Sequence, residues 1–191
     1  MRRFAEALAT SDMCFVDSTS STDCDNHSIT FVLGSSAIGA FPIGAIIAKS
    51  QSEAAYATGF ELFKSLLPEK AFEGRGPELG PKIFMTDQAT AEKNALKTVF
   101  PESEQKLCTF HVLQALWRWL WDTNNGIHKT DRKYLMLAFR KILYANKNDA
   151  QTFLLQLQQD TIALKYKNFI RYLEKKQKIL MNGALVIEHM K

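Results

Sequence analysis

One stretch, residues 82–113, limits the folds open to this chain more than any other. An apolar run at residues 83–85 leads to a carboxylate, Asp87, and apolar side chains then recur at spacings of three and four over residues 91–99. This pattern predicts a strand followed by a helix, which Pro101 ends. Because open α/β sheets place functional side chains at the carboxyl ends of their strands, Asp87 is a candidate functional residue.

The second half of the chain is predicted to be mostly helical. Residues 106–110 predict a second short strand, which leads through Cys108 and His111 into a strongly apolar helix. Helical periodicity then predicts four segments, interrupted by asparagine-rich turns: residues 112–122, 129–145, 149–163 and 164–178. The tail at residues 179–191 is ambiguous, since Asn182-Gly183 marks a turn and the end could be foreign sequence at a truncated or alternatively spliced terminus.

The first half is predicted to begin with three strands. Residues 13–16 form a short apolar run that ends in Asp17, and residues 29–33 and 41–48 predict two more strands. The short connections between them predict an antiparallel meander. The uncharged run at residues 28–48 is long enough for a membrane span, but its glycines, serines and proline favour two buried strands and no membrane partner.

A helix is predicted to begin at Ser52 and to end before Pro68. Its apolar face comprises Tyr56, Phe60, Phe63, Leu66 and Leu67. Residues 69–81 contain three glycines and two prolines, which predicts a surface loop.

Composition and charge narrow the class of protein. With 46% hydrophobic and 23% charged residues, the chain is typical of a folded globular protein rather than a disordered one. Residues 1–100 carry nine Lys and Arg against twelve Asp and Glu, whereas residues 101–191 carry fifteen against eight. A basic half is compatible with a nucleic-acid partner, although a solvated helical surface explains it equally well. Three irregularly spaced cysteines imply no disulfide framework and favour a reducing compartment.

Two carboxylates at the ends of neighbouring strands would form the chemically active part of the predicted sheet. Asp17 and Asp87 hold such positions, and hard carboxylate oxygens suit Mg²⁺ or Mn²⁺. A pair of these ions can activate a nucleophile and stabilise the leaving oxygen in phosphodiester cleavage and transfer. The structural alternative is that each aspartate ends its strand by accepting hydrogen bonds from backbone amides.

The order of the predicted elements resembles that of the ribonuclease H-like core of DDE transposases. This order is a strand ending in Asp17, two strands, a helix, a strand ending in Asp87, a helix and a strand. Within that group the chain resembles the transposase domain of Mutator-like elements (MULE). The segments that carry the resemblance are FVDST at 15–19, SEAAYATGFELF at 52–63, FMTDQATAEKNALKTVFPES at 84–103 and LCTFHVLQALWRWL at 107–120. The resemblance covers about residues 12–125.

The resemblance implies an α/β fold class. The expected architecture is a ribonuclease H-like mixed sheet, in which a three-strand antiparallel meander is extended by parallel strands, with a C-terminal helical insertion subdomain. The corresponding domains are an incomplete transposase core at residues 1–111, a helical insertion at residues 112–178 and an uncertain tail at residues 179–191.

In transposases of this kind, two acids bind the catalytic metals and a third, a glutamate, follows the insertion on a final helix. By position, Asp17 and Asp87 correspond to the first two acids. Glu188 is the candidate third acid by its interval, but its surroundings, ALVIEHMK, do not match the family pattern. Glu174 lies among lysines, where a solvated surface carboxylate is expected. The third acid is therefore predicted to be missing or displaced.

Cys108 and His111 form a Cys-x-x-His pair, which would supply half of a tetrahedral zinc site. Two more ligands are needed, and no compact Cys/His cluster accompanies the pair in the sequence, so zinc is not the expected function. In the resembled family this pair marks the junction before the helical insertion.

Two features are candidates for contact with DNA. Trp117, Trp119 and Trp121 alternate, so the three cannot share one helix face; core packing is favoured, and an exposed indole, with Trp119 as the candidate, would stack on a base. A basic run would follow one helix and contact phosphate, or form a plain solvated face. This run comprises Lys165, Lys167, Arg171, Lys175, Lys176 and Lys178.

The predicted function is that of a MULE-type transposase domain, with metal-dependent cleavage and transfer of DNA strands. With the third acid missing, the chain is expected to be truncated or domesticated and weakly active or inactive. The resemblance implies Mg²⁺ or Mn²⁺ as cofactor, DNA at transposon ends or in the host as partner, and nuclear localisation, and it allows a homodimer. The alternatives are a non-catalytic DNA- or protein-binding module derived from a transposase, and a ribonuclease H-like hydrolase unrelated to transposition.

Overall fold

The structure is a computed structural model that describes residues 12–36 and 39–183. The chain divides into two compact units, residues 1–106 and residues 107–191, and each unit has its own hydrophobic core. The sequence analysis places this division after residue 111.

The first unit contains a mixed five-stranded sheet in the order β3-β2-β1-β4-β5. Its strands are β1 (Met13–Thr19), β2 (Ser28–Ser36), β3 (Gly39–Ala48), β4 (Ile83–Thr86) and β5 (Glu104–Leu107). β1 and β3 each pair antiparallel with β2, and β1 pairs parallel with β4. The predicted antiparallel meander is confirmed, and the uncharged run at residues 28–48 supplies two of its strands. No helix in the described part of the chain is long and apolar enough to cross a membrane.

Two strand boundaries differ from the sequence-based prediction. β1 continues past Asp17, which pairs with Phe31 of β2, so Asp17 lies within a strand rather than at its end. The second short strand, β5, ends at Leu107, and Phe110 belongs to the following helix rather than to the strand. Periodicity over so few residues cannot separate a strand end from the first turn of a helix, which explains the second error.

Helix α1 (Glu53–Leu66) begins as predicted, because the Ser52 side chain accepts a hydrogen bond from the backbone N–H of Ala55. Most of its predicted apolar face is buried in the core of the first unit. Leu66 is the exception and is 76% exposed, because α1 ends at this residue and Leu67 packs against the core in its place.

Residues 69–81 are not purely a surface loop, and this prediction is wrong. They contain two short helical segments, α2 (Ala71–Gly74) and α3 (Gly76–Leu79). Ala71 and Phe72 are completely buried, because their apolar side chains join the core of the first unit. The glycines and prolines of the segment therefore mark tight turns rather than exposure.

Helix α4 (Thr90–Val99) connects β4 to β5, and it completes the predicted strand, helix, strand unit. Its side chains Ala95, Leu96 and Val99 are buried in the same core as Cys14, Val16 and Val32 of the sheet. Helices α1 and α4 therefore cover one face of the sheet.

The second unit is helical, as predicted. Its helices are α5 (Thr109–Trp121), α6 (Lys129–Leu143), α7 (Lys147–Gln158) and α8 (Lys167–Gly183), with 3-10 turns at Thr123–Asn125 and Ala163–Lys165. Helix α7 stops before the predicted end at residue 163, because the Asp160 carboxylate accepts hydrogen bonds from the N–H groups of Ile162 and Ala163 and turns the chain. Helix α8 continues through Gly183, so the turn predicted at Asn182-Gly183 is not formed there.

Candidate active site

Asp17 lies in β1, and Asp87 directly follows β4, the parallel neighbour of β1. In the register of β1 with β4, Phe15 pairs with Met85. Continuing that register by two residues sets Asp17 opposite Asp87, just past the end of β4. Since neighbouring strands lie about 4.8 Å apart, this register places the two aspartates side by side at the carboxyl end of β4.

Both aspartates lie on the sheet face away from α1 and α4. Side chains alternate along a strand, and Val16, the neighbour of Asp17, is buried in the core that includes these helices. Asp17 is exposed, and its partner in β2, Phe31, is 40% exposed. By the same alternation, Asp87 follows Met85 on this face. Asp17 is therefore open to solvent, and Asp87 is half-buried.

Asp87 also stabilises the turn that leads from β4 into α4. Its Oδ1 accepts a hydrogen bond from the backbone N–H of Ala89 at 2.6 Å. The hydroxyl of Thr86, a completely buried residue, donates to the Asp87 carbonyl at 3.0 Å. Asp87 thus has the structural role predicted as the alternative, since it accepts a hydrogen bond from a backbone amide at the end of its strand. This bond holds the carboxyl group in position.

A third carboxyl group, that of Glu92, lies close to the pair but on the other side of the sheet. Glu92 is completely buried in the first turn of α4, and its Oε2 accepts a hydrogen bond from the Ser18 hydroxyl at 2.7 Å. The Ser18 hydroxyl is in turn 2.9 Å from that of Thr30 in β2. Because Ser18 directly follows Asp17, this network fixes the part of β1 that carries Asp17.

The environment of Glu92 favours its neutral form. Burial, aided by the negative charges of Asp87 and Asp17 and opposed by the hydrogen bond from Ser18, raises the pKa of Glu92 to about 7. Its Oε1 is buried and has no hydrogen-bond partner among the described residues. A charged, half-satisfied carboxylate is costly to bury, so protonation relieves much of this cost.

Sequence reasoning missed Glu92, although a signal was present. Glu92 precedes Ala95, Leu96 and Val99 at spacings of three, four and seven, so it occupies a position on the apolar face of α4. A carboxyl group at such a position is predicted to be buried, and a buried carboxyl group needs a polar partner.

Cys108 and His111 lie at the start of α5. Cys108 is the residue before the helix, its carbonyl accepts a hydrogen bond from the N–H of Val112, and its side chain is a free thiol. The His111 ring meets the Phe110 ring edge-on at 5.5 Å between centroids. Among residues 12–36 and 39–183, no group of three or more His, Cys, Asp or Glu side chains is arranged to hold a metal ion.

The third acid that the resemblance implies has no assigned position. Glu188 lies outside the described residues. Glu174 is exposed on α8, as expected for a solvated surface carboxylate. The candidate metal ligands in the described part of the chain are therefore Asp17 and Asp87.

The three tryptophans of α5 occupy two different environments. Trp119 packs between Phe169 and Tyr172, at centroid distances of 6.0 and 4.8 Å. Trp117 and Trp121 are 47% and 41% exposed and stack on each other at 5.1 Å. Trp117 and Trp121 are four residues apart and therefore share one face of the helix, whereas Trp119 points to another face. Trp119, the residue predicted to stack on a base, instead faces the core of the second unit.

The basic run is only partly on one helix face. Lys167, Arg171 and Lys175 are exposed at intervals of four along α8, so they share a face. Lys165 precedes α8 in a 3-10 turn, and its Nζ lies 3.8 Å from the Asp131 carboxylate. The run is thus a short exposed stripe, and its predicted contact with phosphate stays a prediction.

The fold and the site together define an α/β domain with one aspartate in β1 and another just after the adjacent parallel strand β4, and a helical unit follows this domain in the chain. Its sequence matches the MULE transposase domain over residues 13–115, more than half of the chain, and the protein therefore belongs to the MULE transposase domain family. A search of curated proteins found no match. Family membership supports a transposase-related function that involves DNA.

Proposed function

We propose that this chain is the metal-binding core of a MULE-type transposase with a ribonuclease H-like fold. In this proposal Asp17 and Asp87 hold Mg²⁺ or Mn²⁺ for cleavage and transfer of DNA strands. The strand order β3-β2-β1-β4-β5, with an antiparallel meander joined to a parallel strand, supports the fold. The observation that carries the proposal is the register that sets Asp17 opposite Asp87.

The chemistry of the two side chains fits these metals. Carboxylate oxygens are the hard ligands that Mg²⁺ and Mn²⁺ prefer, and Asp17 is exposed to solvent. When bound, such ions supply activation of the attacking oxygen and stabilisation of the leaving oxygen. The protein contributes position: pairing with β2 holds Asp17 in its strand, and the hydrogen bond from Ala89 holds Asp87.

We propose further that the chain cleaves DNA weakly or not at all, because Asp17 and Asp87 are the candidate metal ligands among the described residues, whereas the family uses three acids. A domesticated transposase would have this property. Nuclear localisation and a homodimer are proposals that rest on the family resemblance alone.

A second candidate function is a non-catalytic DNA-binding module that kept the fold and lost the chemistry. The hydrogen bond from the Ala89 N–H to Asp87 favours it, because it gives this aspartate a sufficient structural role without a metal. The two candidates differ in one property that can be measured, which is the binding of a divalent metal at Asp17 and Asp87.

Calorimetric titration of the full chain with Mn²⁺ tests the proposal. We expect the wild type to bind Mn²⁺, and we expect both Asp17→Ala and Asp87→Ala to lose this binding, because each removes one side of a shared site. Asp25→Ala, which removes an exposed acid in the turn after β1, is the matched control and should bind like the wild type.

Circular dichroism on each variant separates loss of the metal site from loss of the fold, which matters most for Asp87 because of its bond to Ala89. A folded wild type that binds no Mn²⁺, or folded variants that bind it unchanged, would reject the metal site. The non-catalytic module would then be the better description.

A further inference from the structure

Helix α5 carries an exposed aromatic surface in addition to the stripe that it buries. Val112, Leu116 and Leu120 face the core of the second unit and are almost fully buried. In contrast, Phe110 and Trp117 are 64% and 47% exposed. These two exposed rings lie two helical turns apart on α5, so this face of the helix is a candidate binding surface.

The exposed indoles form part of an ordered stack. The Trp117 and Trp121 rings lie 5.1 Å apart between centroids and are tilted by 21°. The guanidinium of Arg132 lies 5.4 Å from the centre of the Trp121 ring, and its Nε donates a hydrogen bond to the Ile127 carbonyl at 3.1 Å. Arg132 is thus held in place, and it supports the indole pair from the Trp121 side.

A groove of about 390 Å³ adjoins the Trp117 end of this stack. It is lined by Phe110, Leu113, Gln114, Trp117, Arg118 and Met136. None of these residues carries a carboxylate, and Arg118 is exposed at the groove. The groove therefore combines a flat aromatic wall, an amide that can both donate and accept hydrogen bonds, and a positive charge.

A second groove of the same unit shows a different composition. It has a volume of about 540 Å³ and includes Tyr134, Lys141, Phe153 and Asp160 among its lining residues. There the Tyr134 hydroxyl donates to the Asp160 carboxylate at 2.7 Å, and the Lys141 ammonium lies 3.7 Å from the Phe153 ring centre. Its polar groups are thus engaged with neighbours, and a carboxylate would repel an anionic ligand.

We propose that the groove beside Trp117 binds an unpaired nucleobase of DNA, stacked on the Trp117 ring, with Arg118 bound to a neighbouring phosphate. Stacking on aromatic rings next to positive charge is how proteins hold single-stranded or extruded bases. The absence of acids at the groove complements a ligand that carries a phosphate. This inference rests on the proposed function, because it takes DNA to be the molecule on which the chain acts.

Fluorescence anisotropy tests the proposal. It measures the affinity of the protein for a labelled oligothymidylate strand and for a fully paired duplex of equal length, at fixed salt and with EDTA present. We expect Trp117→Ala to weaken binding of the strand about tenfold, the scale of one lost base stack, and to change duplex binding by less than about twofold. Trp117→Phe should recover most of the affinity, because it keeps an aromatic face.

The matched control is Tyr144→Ala, because Tyr144 is also an exposed aromatic residue of this unit with an arginine, Arg140, 5.3 Å from its ring centre. It lies outside the groove and should bind the strand like the wild type. The proposal would be overturned if Trp117→Ala lost equal affinity for the strand and for the duplex, or if it lost no affinity for the strand. The groove would then better suit an apolar protein segment.

A second measurement separates this inference from the proposed metal site. Trp117→Ala should bind Mn²⁺ like the wild type in the calorimetric titration, because Trp117 is not one of the proposed metal ligands. Loss of strand binding in Trp117→Ala alone therefore supports the groove independently of metal binding. Unchanged strand binding in Trp117→Ala, with Mn²⁺ binding intact, would overturn the groove and leave the metal site standing.

Discussion

At the scale of single residues, Glu92 connects the packing of the first unit to its candidate site. Its carboxyl group is completely buried and accepts a hydrogen bond from Ser18, the residue after Asp17. Burial is the main cause of its raised pKa, and the negative charges of Asp87 and Asp17 add to the rise. Its protonation state should therefore affect both stability and the strand that carries Asp17.

We predict that the free energy of unfolding falls as the pH rises from about 4.5 to above 7. The folded state holds the Glu92 proton up to a pKa of about 7, against an ordinary value of 4.5, so the stability present at low pH is lost through this window. The loss is at most roughly 3.5 kcal/mol, since each pKa unit corresponds to about 1.4 kcal/mol.

Urea unfolding at several pH values measures this dependence. Glu92→Gln, which stays neutral, should flatten the fall, whereas Glu61→Gln, at an exposed position on α1, should leave it unchanged. Equal slopes in the wild type and in Glu92→Gln would show that Glu92 does not titrate in this range.

At the scale of elements, the packing of α1 on β3 depends on a glycine. A Cβ atom at Gly59 would lie 2.5 Å from Cγ2 of Ile46, which is too close for the two elements to keep their positions. Gly59 is buried within α1, where glycine is otherwise a poor choice because it weakens helices. Its presence is explained by this close approach.

We predict that Gly59→Ala destabilises the protein by about 1–3 kcal/mol, although alanine normally stabilises a helix by about 1 kcal/mol relative to glycine. Ile46→Leu removes the branched methyl group at the contact, so the double variant should recover part of the loss. Thermal unfolding of both variants, with Thr58→Ala as an exposed neighbour on α1, measures the effect. A stabilised Gly59→Ala would contradict the close contact.

At the scale of the whole molecule, the chain contains two units with separate hydrophobic cores. The first core is built from the sheet with α1 and α4, and the second from α5 to α8. Because each unit has a hydrophobic core of its own, we expect the two units to open separately.

We predict that Leu116→Ala, which removes a completely buried side chain of the second core, costs about 2–5 kcal/mol in that unit. Hydrogen exchange followed by mass spectrometry should show faster exchange in α5 to α8 and little change in β1 to β3. Equal losses of protection in both units would show that the chain opens as one cooperative body.

Local sequence patterns were sufficient for several elements of the fold. The turns between short β-branched runs predicted the meander of β1, β2 and β3, and Ser52 predicted the start of α1. Asp17 and Asp87 were identified as a pair because apolar runs precede each of them. These features depend on neighbouring residues in the chain, which is why they can be recognised without a structure.

Other features depend on contacts between residues that are distant in sequence. Pairing with β2 places Asp17 within a strand, and the hydroxyl of Ser18 donates a hydrogen bond to the buried Glu92. Packing against Phe169 and Tyr172 turns Trp119 inward, which leaves Trp117 and Trp121 on the surface. The sequence by itself determined the order of the elements and the two aspartates. Only the tertiary structure decided which polar and aromatic groups are buried, because that depends on the elements that pack against them.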